Sequence, residues 1–420
     1  VYHGLYVAAW VGLPSLVLIL LWQLVQGPAV DALLMGTLPD AMTDNLNHSE
    51  QALLLSEIKS TAKGHVFGAP STAVRAAADS YNNWQQIARW AMVAAALALS
   101  LLFFSLTRSK IATSFRARHR VERVLDGIMI ACSLLAILTT LGIVIPLLIE
   151  TFRFFSRVPV TEFFFGLNWE PQIPIREDQV TAGGAFGAIP VYVGTLLIAF
   201  IAMSVAAPIG LLSAIYLSQY AGDRTRAIVK PLLEILAGIP TVVYGFFAVL
   251  VVAPAMRNFG IYIGMDIAPN SAIAAGGVMG IMLIPFVSSL SDDAISAVPE
   301  SMRDGSYGLG ATTGETVVNV LVPAALPGIM GGILLAVSRA IGETMIVVMA
   351  AGIIASLTLN PLEPVTTVTV QIVTLLIGDT EFDNPKTLAA FALGLVLFLV
   401  TLALNVVALR IVQKYRERYD

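Results

Sequence analysis

Cysteine and histidine are scarce in this sequence, and the common nucleotide-binding motif is missing from it. The one cysteine, Cys132, lies in an apolar run, which excludes a disulfide framework and a thiolate metal cluster. The four histidines are scattered without the spacing of metal ligands. No Gly-x4-Gly-Lys-Ser/Thr segment occurs, so the chain does not bind nucleotide through a P-loop. We therefore expect no metal, no cofactor and no catalytic residue in this chain.

Charged residues are also few. Only 12% of the residues are charged, 57% are hydrophobic, and the mean hydropathy is +0.82. A soluble domain of this length would not stay in solution with such a composition. The composition predicts an all-α polytopic membrane protein surrounded by membrane lipid, and it gives no sign of a nucleic-acid partner.

Eight apolar runs reach the length of about 20 residues that crosses the hydrocarbon core of a bilayer. The first run lacks the short apolar core and cleavage site of a secretory signal, so we expect it to be retained. The chain begins at Val1 without a methionine, which leads us to expect a leader of unknown length. The predicted spans are 5–25, 88–106, 127–149, 189–217, 235–256, 272–290, 328–354 and 388–412.

Lysine and arginine near the ends of the spans predict the orientation. Basic clusters follow the second and fourth spans and close the chain, and they share one side if all eight spans are real. The opposite loops are poorer in basic residues, since Glu363, Asp379, Glu381 and Asp383 accompany a single Lys386. We expect the basic side, with both termini, to be cytoplasmic. The basic residues are Arg108, Lys110, Arg116, Arg118, Arg120, Arg123, Arg224, Arg226, Lys230, Arg410, Lys414, Arg416 and Arg418.

Two stretches outside the spans have patterned apolar residues. In the insert 26–87, the pattern predicts two amphipathic helices with a hinge near 64–70. They form either a packing cap on the membrane domain or a contact surface for an extracytoplasmic partner. In the stretch 150–188, we interpret the phenylalanines as part of an interfacial aromatic belt. The helical pattern comprises Leu53, Leu54, Ile58 and Ala62, then Val74, Ala77, Ala78 and Tyr81.

Arg339 and Glu343 are ionised residues in the seventh apolar run. An uncompensated arginine at the centre of a span costs at least about 2.5–3.5 kcal/mol on insertion scales, so such a charge faces a partner or a wet cavity. The spacing predicts both side chains on one helix face, although arginine before glutamate is the weaker order for a pair. One interpretation is a satisfied internal ion pair. We prefer a translocation path in which Arg339 attracts an anion, while Glu343 positions it and keeps binding weak enough for release.

Small residues and acids near the same spans have simpler interpretations. The Gly-x3-Gly motifs at 276–280 and 328–332 allow helices to approach closely. The helix that they meet belongs either to this chain or to a second membrane subunit. Asp292 and Asp293 stand at the end of the sixth span, where we expect them to cap the following turn without a role in transport.

A polar segment with several glycines, 302–323, separates the sixth and seventh spans. Pro299 and Glu300 suit the first turn of a short helix, which we expect from 299 to 309. Gly310 then lets the chain leave this helix in a conformation that other residues resist. An ordinary inter-helical loop is the alternative.

Several segments resemble the phosphate ABC-transporter permeases of the PstC type. Segment 302–323 keeps every interval of the coupling-loop pattern Glu-Ala-Ala-x3-Gly-x9-Ile-x-Leu-Pro, with Asp-Gly-Ser at 304–306 in place of Glu-Ala-Ala. This departure keeps the register and weakens the helix. The ending Gly-Glu-Thr-Met at 342–345 favours this type over its sister permease, in which Gly-Glu-Thr-Ala-Pro is usual. The other matching segments are 168–171, 187–195, 233–245, 324–328, 339–345 and 360–367.

The resemblance implies an importer permease core of six transmembrane helices at 123–420, with a coupling loop at 293–327. Residues 1–122 would be an N-terminal extension with two transmembrane helices and the external insert. The implied partners, in a bacterial cytoplasmic (inner) membrane, are a PstA-type sister permease, a PstB-type ATPase dimer that hydrolyses ATP, and a PstS-type extracytoplasmic phosphate-binding protein. The family's path residues correspond to Arg339 and Glu343. The residues implied to dock on the ATPase are Met302, Arg303, Asp304, Gly305, Ser306 and Gly310.

Rival functions remain open. A permease for sulfate or molybdate keeps the same mechanics, and competition between anions for uptake would identify it. A self-contained secondary transporter would predict internal repeats and transport without ATP, and we find no repeat. If the chain were only a structural scaffold, the presence of a charged residue, Arg339, in an apolar run would have no explanation.

Overall fold

The computed structural model describes residues 2–38, 48–64, 71–112, 115–171, 184–377 and 384–415. Helices dominate these ranges, and the only sheet in them is an antiparallel pair of two-residue strands, β1 (Trp169–Glu170) and β2 (Ala185–Phe186). The fold is therefore all-α and polytopic, as predicted. Most of the expected hinge at 64–70 lies outside the described residues. So do the expected charges at Asp379, Glu381, Asp383, Arg416 and Arg418.

Contacts divide the chain into two compact units, 1–139 and 140–420. The division falls inside a continuous helix, α4, which spans Ala117–Phe155. A contact division of this kind does not mark the end of a domain along the chain. The domain limit expected between 122 and 123 therefore stays a prediction.

The first unit contains α1 (Tyr2–Thr37), α2 (His48–Ala62), α3 (Thr72–Ser109) and the beginning of α4. The two amphipathic patterns of the insert meet in one buried cluster, to which α1 contributes Leu34, α2 contributes Ile58 and α3 contributes Val74. The insert helices therefore pack on α1, and the second of them is the start of the long α3. Whether the insert caps the membrane domain or contacts an extracytoplasmic partner stays a prediction. Leu53 was expected in this core and is instead 70% exposed.

The second unit begins with the rest of α4 and contains twelve further described helices. They are α5 (Val160–Phe165), α6 (Ile189–Ile215), α7 (Asp223–Gly238), α8 (Thr241–Phe247), α9 (Ala253–Ile263), α10 (Ala272–Ser296), α11 (Glu300–Gly308), α12 (Thr313–Thr316), α13 (Val322–Ile341), α14 (Met345–Ala350), α15 (Val368–Leu376) and α16 (Pro385–Tyr415). Single π-helical turns at Tyr216–Tyr220, Ala248–Val252 and Val317–Leu321 extend α6, join α8 to α9 and join α12 to α13.

Eight helical segments of the described residues are long and apolar enough to cross a membrane. Six of them contain the predicted span and extend beyond it, whereas two leave part of the predicted span uncovered. The fifth begins at Thr241 and not at 235, because Pro240 separates it from α7. The seventh ends at Ile341 and not at 354, because the helix breaks before Glu343. Hydropathy identifies apolar runs but does not detect a break inside one.

Close contact between α6 and α10 forms the centre of the second unit. A Cβ atom built on Gly276 would come within 2.7 Å of the Ile201 side chain, and one on Gly280 within 2.8 Å of Val205. Both neighbours lie on α6. This glycine motif therefore serves packing within the chain.

The phenylalanines of the stretch 150–188 are only partly at the surface. Phe154 and Phe163 are fully buried and meet edge to face, with ring centroids 5.5 Å apart. Phe186 on β2 and Trp169 on β1 join the same cluster. The interfacial-belt interpretation is wrong for these side chains, which form an apolar core, whereas Phe165 is 75% exposed.

Candidate functional site

Arg339 lies on α13, level with the middle of α10. A Cβ atom built on Gly328 would come within 2.7 Å of Ala294, and one on Gly332 within 2.9 Å of Leu290. The two helices are therefore antiparallel and in close contact, and this glycine motif also packs within the chain. Continued along α13, the same register places Arg339 beside the central turns of α10, far from either end.

Arg339 contacts an aromatic ring and has no counter-charge among the residues that the structure describes. Its guanidinium carbon lies 5.8 Å from the ring centroid of Phe286 on α10, a cation–π contact worth about 0.5–1 kcal/mol at an exposed site. In the part of the chain that the structure describes, no carboxylate lies within ion-pair distance of Arg339. The residue is exposed on this single chain. A cation at this depth requires a water-filled cavity or a second subunit.

Glu343 does not share a helix face with Arg339, because α13 ends at Ile341. The carboxylate lies in the break before α14, where its Oε1 accepts the backbone N–H of Met345 at 3.1 Å and of Ile346 at 3.5 Å. These N–H groups have no intrahelical partner at a helix start. The expectation of one shared helix face is therefore wrong, and the two side chains form no ion pair in the described structure.

A buried glutamine holds the chain after this break. Gln371 on α15 is 5% exposed, accepts a hydrogen bond from Trp169 Nε1 at 2.9 Å and donates one to the Ile353 carbonyl at 2.6 Å. Thr369 donates to the Glu343 carbonyl at 2.9 Å. These bonds fix the non-helical path between α14 and α15. Sequence reasoning missed Gln371, although a lone amide in an apolar helix is a signal, because buried amides need partners.

The predicted coupling helix is present as α11, which follows Pro299 and ends at Gly308. Gly310 has φ +86°, in the left-handed region. The Ala311 N–H bonds to the Ser306 carbonyl at 3.2 Å, the arrangement of a Schellman motif. The predicted helix and its glycine exit are both confirmed.

The six residues expected to meet an ATPase do not share one face of α11. The exposed ones are Asp304, Gly305 and Gly310, and the half-buried ones are Met302, Arg303 and Ser306. Met302 packs against the cluster formed by the end of α10 and the start of α13. Leu309 is 92% exposed and Tyr307 40%, so they offer apolar surface that the sequence did not single out. Contact with an ATPase stays a prediction.

A side-chain hydrogen bond joins α11 to α12, the short helix that precedes the one carrying Arg339. The Ser306 and Thr316 hydroxyls lie 2.9 Å apart. Thr312 and Glu315 form a capping box at the start of α12, with the Thr312 N–H 2.8 Å from the Glu315 carboxylate. α12 leads through one π-helical turn into α13. α11 is therefore joined to α12, which continues into α13.

Asp292 is a buried anchor and not a cap, because α10 continues to Ser296. The residue is 3% exposed, and its carboxylate accepts from Arg226 Nη2 at 3.0 Å and from Lys230 Nζ at 2.9 Å. Both cations come from α7, and together they compensate the desolvation of the carboxylate. Asp293 is exposed and lies 4.0 Å from Lys230. The expectation of a helix cap is wrong, and Asp292 joins α7 to the end of α10 that precedes α11.

A cavity of about 220 Å³ lies between α7 and α10. Its lining runs from Phe286, which contacts Arg339, to Lys230 and Asp292, and it includes Ser288. Arg339 itself does not line the cavity. The charged side chains of its lining are Lys230, Glu234 and Asp292, one cation and two carboxylates, and most of the remaining lining is apolar.

Two family patterns match the chain. Residues 206–417 match the family described as binding-protein-dependent transport system inner membrane component. This range contains α10 to α13 and therefore Arg339, α11 and Asp292. Residues 1–139 match a family described as phosphate ATP-binding cassette transporter.

Curated relatives cover much of the same range. The chain is 32% identical over 291 residues to "Probable ABC transporter permease protein YqgH" of Bacillus subtilis, a match that covers 69% of this chain and 90% of that protein. It is 31% identical over 242 residues to "Phosphate transport system permease protein PstC" of Mesorhizobium japonicum, covering 53% of this chain and 72% of that protein.

A solved structure with a similar path of the chain is a bacterial alginate ABC transporter in complex with an alginate pentasaccharide-bound periplasmic protein. The identity is 14%, the match covers 70% of this chain and 98% of that chain, and the TM-score is 0.49. A likeness of this degree carries no argument about function.

Proposed function

Because this chain belongs to the family of binding-protein-dependent transport system inner membrane components, we propose that it is the permease subunit of an ATP-driven importer of inorganic phosphate. The observation that carries the proposal is the similarity, at about 30% identity over most of their length, to permeases named for phosphate transport. The chain is a non-enzymatic translocation subunit. It needs no cofactor of its own, and a separate ATPase hydrolyses ATP.

Arg339 is the proposed attraction point for the anion. It is a fixed cation level with the middle of α10 and without a carboxylate partner in the described structure, so its charge is available to a substrate. Glu343 holds the break after α13 through the N–H groups of α14, and its negative charge, four residues on, limits how tightly an anion binds. Binding of moderate strength is what release and repeated transport require.

The proposed connection to ATP runs through α11. Its exposed residues, with the apolar side chains of Tyr307 and Leu309, suit a groove on a partner protein. We place this face on a PstB-type ATPase dimer, in an assembly with a PstA-type sister permease and a PstS-type phosphate-binding protein. The nucleotide state then favours either the inward-open or the outward-open arrangement, which is alternating access.

The proposed orientation follows from the same assignment. If α11 meets an ATPase, it lies in the cytoplasm, and the basic clusters after the second and fourth spans lie there too. Both termini are then cytoplasmic, and the chain is a multi-pass protein of a bacterial cytoplasmic (inner) membrane.

The test is phosphate uptake by the complete importer in proteoliposomes loaded with ATP. We expect Arg339→Ala to abolish accumulation of radioactive phosphate while the complex assembles normally. Glu343→Gln should reduce accumulation. Arg224→Gln, an exposed arginine on α7, is the matched control and should behave as the unmodified importer. Full phosphate uptake by an assembled Arg339→Ala complex would refute the role of Arg339 in attracting the anion. If sulfate or molybdate competed for uptake more strongly than unlabelled phosphate, phosphate would not be the substrate.

A further inference from the structure

A second cavity, of about 280 Å³, lies between α9 and the segment that leads into α10. Arg257 and Asn258 on α9 line it, together with Asn270 just before α10, and Pro254 and Pro269 add apolar walls. We propose that this cavity binds a phosphate group, either of inorganic phosphate or of a lipid headgroup.

The chemistry of the lining suits a tetrahedral oxyanion. The planar guanidinium of Arg257 presents several N–H donors in a fork that matches phosphate oxygens. The amides of Asn258 and Asn270 each supply two more donors. No acidic side chain lines the cavity in the part of the chain that the structure describes. Asp266, in the same connecting segment, is exposed and does not line it. The site therefore has a net positive charge.

The connecting segment lies directly against α9. Gly264 ends α9 with φ +74°, which turns the chain back on the helix. A Cβ atom built on Gly260 would come within 2.7 Å of both the Met265 carbonyl oxygen and the Ile267 side chain. This close approach brings the end of the segment, with Asn270, alongside Arg257.

A second set of contacts fixes the same segment from the other side. The Ala268 N–H bonds to the Leu362 carbonyl at 3.1 Å, and the Ala272 N–H bonds to the Glu363 carbonyl at 3.0 Å. Asn270 lies between these two anchored positions. The backbone that carries Asn270 is thus held in place before a ligand arrives, which lowers the entropy cost of ordering this segment on binding. The Arg257, Asn258 and Asn270 side chains are exposed and accessible to a ligand.

The size and the position of the cavity suit an entry site. A water molecule occupies about 30 Å³ in the liquid, so 280 Å³ holds a small tetrahedral anion with several waters. α10 has 25 residues and is about 37 Å long, and it separates this cavity from α11. The assignment rests on the proposed function for its direction. If α11 faces the ATPase, Arg257 faces the side from which phosphate arrives.

The test measures chemical protection of Arg257 in the complete importer. The complex is kept in dodecyl maltoside micelles, which contain no phosphate, and is treated with the arginine reagent phenylglyoxal. Mass spectrometry gives the modification rate of Arg257 and, as an internal control, of Arg224 on α7. The three arms contain inorganic phosphate, short-chain phosphatidylglycerol, or chloride at equal ionic strength.

We expect one phosphate-bearing ligand to slow the modification of Arg257 in a saturable way and to leave Arg224 unchanged. Protection by inorganic phosphate identifies an entry site for substrate, and protection only by phosphatidylglycerol identifies a lipid headgroup site. Protection no greater than that given by chloride overturns the proposal.

A substitution of Asn270 tests whether its side-chain amide contacts the ligand. Asn270→Ala should raise the half-protecting concentration about tenfold, the effect of one lost hydrogen bond to a charged ligand. An unchanged value overturns the assignment of this cavity.

ATP-driven phosphate uptake by the same preparation separates the two proposals. If the importer takes up phosphate but no ligand protects Arg257, the cavity is not a phosphate site and the proposed importer function stands. If a ligand protects Arg257 but no phosphate is taken up, the phosphate site stands and the proposed importer function is refuted.

Discussion

Replacing Gly310 should uncouple ATP hydrolysis from transport, because this residue alone sets the exit of the chain from α11. Its φ of +86° is left-handed, and a Cβ atom built on it meets nothing within 4 Å. A substitution therefore causes no clash, and its whole cost is the backbone conformation. That cost is about 1–2 kcal/mol for an L-residue and is larger for a β-branched one.

A change of this size lowers the population of the present loop geometry about 5–30-fold relative to its alternatives. The Schellman bond from Ala311 to Ser306 would be lost with that geometry. We expect Gly310→Val to leave ATP hydrolysis by the complete importer largely intact and to lower the phosphate transported per ATP several-fold. Gly310→Asn should retain most of the coupling, since asparagine tolerates the left-handed region.

The assay measures ATP hydrolysis and phosphate uptake in one preparation of proteoliposomes. Gly308→Ala is the matched control, because Gly308 is helical, also has open space around its Cβ position, and favours the helix when replaced by alanine. An unchanged ratio of phosphate to ATP in Gly310→Val would refute the assignment of this glycine to the coupling geometry.

Three further substitutions test the packing of the second unit by thermal unfolding in detergent. Asp292→Asn should destabilise the protein by about 2–3 kcal/mol, because two cations lose their carboxylate, while Asp293→Asn, at an exposed position, should have almost no effect. Gln371→Leu should cost about 2 kcal/mol by leaving the indole N–H of Trp169 unpaired, and Trp169→Phe in the same chain should reduce that loss. Gly280→Val should cost about 1–3 kcal/mol through overpacking against α6. Equal unfolding midpoints for Asp292→Asn and Asp293→Asn would contradict the role of Asp292 as a buried partner of the two cations on α7.

The sequence predicted the features that depend on local composition. Long apolar runs identify the spans because a bilayer requires them. Pro299 and Gly310 predicted the limits of α11, because a proline suits the first turn of a helix and a glycine suits its exit. The helical spacing in the insert predicted that Ile58 and Val74 would be buried, and both are.

Features that depend on distant partners could not be read from the sequence. Asp292 was interpreted as a cap, because nothing near it in the chain reveals Arg226 and Lys230, more than sixty residues earlier. Arg339 and Glu343 were placed on one helix, because the apolar run continues through the break and hydropathy does not report it. The break depends on bonds such as that from Thr369 to the Glu343 carbonyl.

In this account, the chain supplies the translocation path at Arg339 and the helix α11 that contacts the ATPase, while another subunit supplies the energy by hydrolysing ATP. The most direct measurement compares phosphate accumulation in ATP-loaded proteoliposomes that contain the complete importer with accumulation in those that contain this chain alone. We predict accumulation against a gradient by the complete importer and none by the lone chain. Accumulation by the lone chain would contradict the account.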